Sequence, residues 1–428
     1  MSPFVIEEHV FEGQHIREYP AALANSQEDV IKLHAKSYTP HEVASGKANG
    51  DLTVIAYHAN AFQKEVYEPF FEQLYETLKE KHGVTLGGIW IADQAQQGTS
   101  AILNDEIIGN DPHWWDHSRD ILCMVNAFRS KMRRPIMAVG HSMGGTQAVA
   151  TAHYHPRLFE SVVLIDPPMT MKASKNVHAM IKFSLSKKES FKSREEAEQS
   201  VRKNPFFKSW KPAVMERYID TAFHDAPTVL VPEEGVTKPT TTVHQDILTL
   251  ARPNLDHVAV ASPVDNMQRY THPDVDNASP YTGPLYNPHS RQAYTFLGSL
   301  RPAAQWILAK NSQIAPQDEL EFRTNLTGSY AGGSGGVKAG NVESVTIRGG
   351  HFLPFTNPEG TAKEAADFLS RRLRVWREAE ERFTRKMEGR SKKQRQKLSP
   401  EVERTLRNWD GKLWENPNAL PDGGKSRL

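Results

Sequence analysis

The sequence predicts an α/β fold: a mostly parallel central sheet with helices on both faces and an inserted cap or lid. Three observations predict it. Short, continuously apolar runs rich in β-branched residues alternate with helical patterns, and strands apolar on both faces belong to parallel sheets covered from both sides. The residues that suggest chemistry fall just beyond the carboxyl ends of those runs, where such sheets bind ligands. The alternation then breaks between residues 171 and 295, where the chain turns proline-rich, aromatic and irregular.

Residues 52–58, LTVIAYH, are the first such run and read as a buried strand. A helical pattern follows, with Phe70, Leu74 and Leu78 on one face. GIWIAD at 88–93 is the next strand and ends in the polar loop DQAQQGTS. Residues 111–132 open with Asp-Pro, a helix-start signal, and carry Trp115, Ile121 and Met124. PIMAVG at 135–140 and SVVLID at 161–166 are two more strands. Within the insertion, Ser193 and Glu196 form a capping-box pattern that predicts a helix. AQWILA at 304–309 and ESVTIRGG at 343–350 resume the strands. The glycine-rich GSYAGGSGGVKAG at 328–340 reads as a mobile loop between them; it lacks the Lys-Ser/Thr ending of a phosphate-binding loop. Residues 371–398, ending in RSKKQRQK, read as a charged, solvated helix. The expected organisation is a core in two parts, residues 1–170 and 296–372, a cap over 171–295, and a charged helical extension and tail over 373–428.

Composition excludes several classes. With 52 basic and 51 acidic residues in 428, the formal charge is +1, which gives no reason to expect nucleic acid or an anionic membrane as partner. No apolar run approaches the roughly 20 residues of a membrane span. The start, MSPFVIEEHVFEG, has glutamates where a secretory signal carries lysines and an apolar stretch. Cys123 is the single cysteine, so no internal disulfide can form and a reducing compartment is expected.

Gly140-His141-Ser142-Met143-Gly144 fits the nucleophile-elbow pattern G-x-S-x-G. The bare pattern is common; its weight here comes from the apolar strand ahead and the small residues Gly145-Thr146-Gln147-Ala148 behind. Such a turn strains the serine's backbone and needs small neighbours, and it presents the hydroxyl at a helix N-terminus, where amide dipoles favour developing negative charge. A serine hydroxyl needs a base, and in folds built around this elbow the acid and then the histidine follow in chain order. His351, in RGGHFLPF directly after the last strand, is the expected base, whereas His141 should point away from the serine and serve structure. The acid is Asp166, which ends SVVLID, or Asp318. KNSQIAPQ after AQWILA holds no carboxylate before Asp318, and Asp318 stands with Glu319 and Glu321 in what reads as a solvated helix start, which favours Asp166. The oxyanion donors are expected from Met143 and from Asn60 or Ala61 in YHANAF, with His58 bracing that loop. His113 and His117 have metal-ligand spacing but no third ligand, so they read as packing or surface residues, and neither metal nor cofactor is expected.

HANAFQKEVYEPFFEQL, GHSMGG, LIDPPM and GGHFLPF together resemble the α/β-hydrolase superfamily over residues 50–372. More narrowly they look like a group of fungal peroxisomal hydrolases of secondary metabolism. That group includes an acyl-CoA thioesterase of mycophenolic acid biosynthesis and hydrolases of host-selective toxin pathways. The resemblance implies Ser142, Asp166 and His351 as the triad, the acid following the sixth strand. HANAF stands where those relatives usually have HANGF, which implies a slightly restricted oxyanion loop at Ala61. The cap is where such relatives diverge, so the resemblance carries the chemistry and not the acyl group.

The final Ser426-Arg427-Leu428 resembles the Ser-Lys-Leu peroxisomal address, and the approach NALPDGGK should leave it exposed for an import receptor. The expected function is a serine hydrolase acting on an acyl-CoA thioester of a secondary-metabolite intermediate in the peroxisomal matrix. Lys182, Lys187, Lys188 and Arg194 of the cap are candidates to meet the CoA phosphates. A carboxylesterase or lipase is the alternative, and a non-catalytic ligand-binding protein the third, disfavoured by the full set of triad residue types. Ser142 excludes epoxide hydrolase and haloalkane dehalogenase chemistry, which need aspartate at the elbow. A homodimer is left open.

Overall fold

The apolar runs assemble into one eight-stranded sheet. In chain order the strands are β1 Phe4–Glu12, β2 Lys32–Pro40, β3 Leu52–Tyr57, β4 Leu86–Ala92, β5 Ile136–His141, β6 Phe159–Ile165, β7 Ala303–Ala309 and β8 Val342–Ile347. Their order across the sheet is β1-β2-β4-β3-β5-β6-β7-β8. β2 pairs antiparallel with both β1 and β4, and every pair from β4 onward is parallel. The computed structural model describes residues 2–171, 177–225, 227–254, 270–275, 284–314 and 319–412.

The continuity of the apolar runs has a direct cause. Successive side chains on a strand point to opposite faces, and here each face carries its own core. Val54 and Ala56 of β3, Ile89 and Ile91 of β4, and Met137 and Val139 of β5 join one cluster. Ile55 and Tyr57, Trp90, and Ile136 and Ala138 join the other. The first cluster is covered by α1, Glu68–His82, through Phe70, Leu74 and Leu78. The second is covered by α2, Trp114–Ala127, through Trp115, Ile121 and Met124, and by α3, Met143–Tyr154, through Ala148, Val149 and Ala152. Each large apolar side chain so buried contributes roughly 1.5–3 kcal/mol before the entropy of ordering it is set against that. α1 stops at Gly83, whose φ of 60° is the left-handed cap conformation that glycine adopts without strain.

The insertion supplies α4 Val177–Leu185, α5 Arg194–Lys203, α6 Pro212–Thr221 and α7 Val243–Leu250. Of the predicted capping box one half forms: Ser193 caps α5 by accepting from the Glu196 amide, whereas the Glu196 carboxylate accepts the Lys192 N–H at 2.9 Å. α8, His289–Phe296, packs on α3 and α2: Phe296 stacks on His153 of α3 with centroids 4.1 Å apart, and Trp115 of α2 donates its indole N–H to Gln292 at 2.7 Å. The glycine-rich stretch is docked rather than open. Gly328, Tyr330 and Ser334 donate backbone N–H groups to Leu297, Gly298 and Leu300. A Cβ at Gly298 would lie 2.3 Å from the Tyr330 ring and would push it aside, so glycine lets the ring pack on this turn. α9, Pro358–Met387, buries Ala362, Ala365 and Leu369 in the first core cluster.

The chain divides into two compact units, Met1–Trp376 and Arg377–Leu428. In the second, Ser391 and Gln394 form a capping box ahead of a single helical turn, and α10, Pro400–Arg407, leaves Val402 and Leu406 exposed. Ser426-Arg427-Leu428 lies outside the described residues, as does Asp318. Among the described residues no helix is long and apolar enough to cross a membrane.

Candidate active site

The sheet order reverses at β3: the chain moves out to β4 and returns to place β5 on the other side. Loops leaving β3 and β5 therefore meet over a crevice. At the end of β5 the backbone turns so sharply that Ser142 adopts φ 55° and ψ −125°. Glycine on either side is a steric necessity. A Cβ at Gly140 would lie 2.5 Å from the Gly144 carbonyl oxygen, and one at Gly144 would lie 2.4 Å from that of Tyr57. Ser142 donates its own N–H to Ile165 O at 2.8 Å, which ties the elbow to the end of β6.

Three side chains meet there in a line. His351 lies with Nε2 2.8 Å from Ser142 Oγ and Nδ1 2.7 Å from Asp166 Oδ2. Protons can run only one way along it. The carboxylate accepts Nδ1–H, so Nε2 keeps the lone pair and faces the serine hydroxyl as a base. Asp166 is fully buried, at 0% exposure, and burial alone would raise its pKa. His351, the Ser312 hydroxyl at 2.6 Å and the Ala309 N–H at 3.2 Å outweigh that and hold it below the ordinary carboxylate value. The acid thus remains charged while wholly out of water. Its φ is 46°, left-handed like those of Ser142 and of Ala61, at 73°. Among the described residues these are the three non-glycine residues with positive φ, and such strain persists only where surrounding contacts enforce it.

Met143 is the first residue of α3, where backbone N–H groups have no partner within the helix. Opposite it, the loop after β3 is held on every side. His58 accepts the Gln94 N–H on Nε2 at 3.1 Å and directs Nδ1 at Ala59 O, 2.9 Å away. Asn60 donates Nδ2–H to Asp246 O of α7 at 3.0 Å and accepts from Gln97 Nε2. Ala61 donates its backbone N–H to Gln97 Oε1 at 3.2 Å. Beneath the loop Lys64 is wholly buried, its ammonium 2.6 Å from Asp93 and 2.9 Å from Glu65.

Other residues singled out from the sequence lie elsewhere. His113 is buried, caps α2 by accepting from the Trp115 N–H, and packs against His289 with centroids 4.4 Å apart. His117 is buried edge-on against Tyr57. Burial drives both imidazoles far below their usual pKa, so they stay neutral. Among the cap cations, Lys187 pairs with Asp246 at 2.6 Å and Lys188 with Glu196 at 3.0 Å. Arg194 donates to Phe223 O at 2.9 Å and to Ile219 O at 2.5 Å, and Lys182 is exposed on α4. Ser312, Gln97 and Lys64 were not foreseeable as site residues, although Ser312 stands where a triad acid more usually does, just after β7.

The family described as Serine aminopeptidase, S33 matches residues 80–234. Over 410 residues the chain is 33% identical to the type I acyl-CoA thioesterase mpaH of Penicillium brevicompactum, covering 91% of this chain and 92% of that protein. It is 25% identical over 264 residues to the abhydrolase domain-containing protein AFT2-1 of Alternaria alternata, covering 58% of this chain and 92% of that one. Among solved structures, the peroxisomal alpha-beta-hydrolase Lpx1 of Saccharomyces cerevisiae superposes with a TM-score of 0.64 at 18% identity, covering 95% of this chain and 96% of that chain. This last likeness is one of fold. The resemblance read from four short motifs therefore extends over nearly the whole chain.

Proposed function

Because the chain belongs to the α/β-hydrolase family, we propose that it is a serine hydrolase that cleaves an acyl-CoA thioester through an acyl-enzyme on Ser142. The observation that carries this reading is the unbroken, singly directed hydrogen-bonded line Ser142–His351–Asp166 at the N-terminus of α3. His351 takes the Oγ proton as the oxygen attacks the thioester carbonyl. The oxyanion that forms faces the Met143 amide at the start of α3, and the Ala61 N–H joins it by exchanging its present acceptor, Gln97 Oε1, for the developing charge. As the C–S bond breaks, His351 returns the proton to the departing thiol. A water, deprotonated by the same ring, then releases the acid and restores Ser142. Asp166 stays ionised throughout and stabilises the imidazolium.

Thioester is favoured over oxygen ester by the likeness to the Penicillium acyl-CoA thioesterase. The opposing observation is that Lys187, Lys188 and Arg194 are already engaged within the cap, which leaves less free charge for CoA phosphates and favours an uncharged ester. Acyl-CoA esters of varied chain and p-nitrophenyl esters assayed side by side decide between them. A higher kcat/KM on CoA thioesters is the expected result. A preference for nitrophenyl esters would make the protein a carboxylesterase, and no turnover of either would defeat the hydrolase mechanism.

In this reading residues 1–170 and 296–372 build the core, 171–295 the cap that selects the acyl group, and 373–428 a tail carrying a peroxisomal import signal. Deleting Ser426-Arg427-Leu428 should leave activity in vitro unchanged and move an N-terminally tagged protein from peroxisomes to the cytosol, because the tripeptide is a receptor-read address. Cytosolic signal from both forms would overturn it.

A further inference from the structure

The loop before His351 is pinned at Gly349, φ 150°, whose carbonyl accepts the Asn311 N–H at 2.9 Å, and His351 itself is held from another side. Its backbone carbonyl meets His141, the residue covalently joined to Ser142. His141 Nε2 lies 2.9 Å from His351 O, and its Nδ1 lies 2.8 Å from the Tyr67 hydroxyl. That hydroxyl in turn accepts the Ala59 N–H at 2.8 Å, in the loop that leads into Asn60-Ala61. We propose that His141 and Tyr67 are positioning residues: a neutral relay that locks the base and the oxyanion loop to the nucleophile's own strand. The inference rests on Ser142 and His351 acting as proposed above.

Elementary donor and acceptor rules fix every proton in the relay. A carbonyl only accepts, so His141 carries its hydrogen on Nε2. Nδ1 then holds a lone pair, so Tyr67 donates to it, and the phenol oxygen is left to accept from Ala59. Burial, with His351 beside it, lowers His141 to about 3, and burial pushes the Tyr67 hydroxyl up. Neither group therefore changes protonation across the pH range in which an enzyme of this kind would work. The rings are wedged as well as bonded. Both pack edge-on against Phe355, four residues past the base, with centroids 5.1 Å from Tyr67 and 5.5 Å from His141. Triad chemistry tolerates little slack, because a misplacement of about 1 Å can cost about 10²-fold in rate. An anchor built on the residue next to the nucleophile makes base and nucleophile move together.

The test compares Tyr67→Phe, His141→Ala, His141→Gln and His141→Leu with the wild type. The readouts are the rate of fluorophosphonate labelling at Ser142, kcat and KM on the best substrate, and the melting temperature. His141→Ala should slow labelling and kcat by about 10²-fold with KM within about twofold, the signature of a misplaced base. Tyr67→Phe keeps the ring contacts and loses only the hydroxyl; it should slow both by about tenfold. His141→Gln restores a donor that can reach His351 O and should recover most of the rate, whereas His141→Leu, which fills similar space without a donor, should not. Wild-type labelling rates in folded Tyr67→Phe and His141→Ala, or His141→Gln no better than His141→Leu, would overturn the relay. Should His141→Ala fail to fold, Tyr67→Phe, His141→Gln and His141→Leu decide alone. A wild type that does not label at Ser142 would instead overturn the reading on which the relay rests.

Discussion

Ser142→Ala is expected to abolish turnover, with a loss on the order of 10⁶-fold in kcat, the scale seen when a triad nucleophile is removed. The fold should survive the change. The backbone bond from Ser142 N–H to Ile165 O does not involve the hydroxyl, and alanine meets the same left-handed φ of 55° with the same Cβ. What disappears is the atom 2.8 Å from His351 Nε2, the attacking group itself. Melting temperature should therefore move by only a few degrees, the shift expected for about 1 kcal/mol in a domain of this size. A fluorophosphonate should label the wild type at residue 142 and leave the variant untouched. Labelling at another residue, or retained hydrolysis, would remove Ser142 from its role.

The expected loss hangs on one serine whose setting was legible in the sequence for a physical reason. Buried parallel strands are apolar on both faces, so LTVIAY, GIWIA, IMAVG and SVVLI stand out as continuous runs. The N-terminal hairpin does not. β1, FVIEEHVFE, buries Phe4 and Phe11 and exposes most of the residues between, as an edge strand does, and its charges mask it. β2 carries Lys36, whose ammonium reaches Glu65 at 3.2 Å and Glu8 at 3.3 Å. A lysine satisfied by residues far along the chain is invisible to any local pattern. The same holds for Lys64, fully buried with its ammonium 2.6 Å from Asp93, 29 positions on.

At the site, the residues legible in the sequence are those whose position follows from strand ends, Ser142 after β5, Asp166 after β6 and His351 after β8, and the structure brings these three within hydrogen-bond distance. Residues that act across the fold could not be read. Gln97 reaches Ala61 from 36 positions away, and Asn60 finds its acceptor at Asp246, 186 positions on. The sequence reads His141 as turned from the serine, but offers no sign that its partner is the carbonyl of a residue 210 positions later. The sequence also offers no reason to expect Ser312 to bond the acid rather than replace it.

Asp166→Asn is the sharper test of the acid, with an expected loss on the order of 10⁴-fold in kcat. The backbone should accept it, since asparagine shares with aspartate a tolerance for the left-handed conformation that φ 46° requires. The difficulty is in the protons. All three neighbours of the carboxylate are donors: Nδ1–H of His351 and the Ser312 hydroxyl at Oδ2, and the Ala309 N–H at Oδ1. Two carboxylate oxygens accept all of them, whereas an amide has one acceptor oxygen and an NH₂ that must face a donor. If the NH₂ faces His351, the ring flips tautomer and presents Nε2–H, not a lone pair, to Ser142. If it faces Ala309, the histidine keeps its tautomer and loses the negative charge that stabilises the imidazolium. Either outcome disables the base while leaving Ser142 in place, so fluorophosphonate labelling should slow steeply without being lost, unlike the result with Ser142→Ala. Asp318→Asn, assayed in parallel, should label and turn over as the wild type does. The reverse pattern, a silent Asp166→Asn and a crippled Asp318→Asn, would transfer the acid's role to Asp318 and leave the buried charge at 166 as a brace for β7.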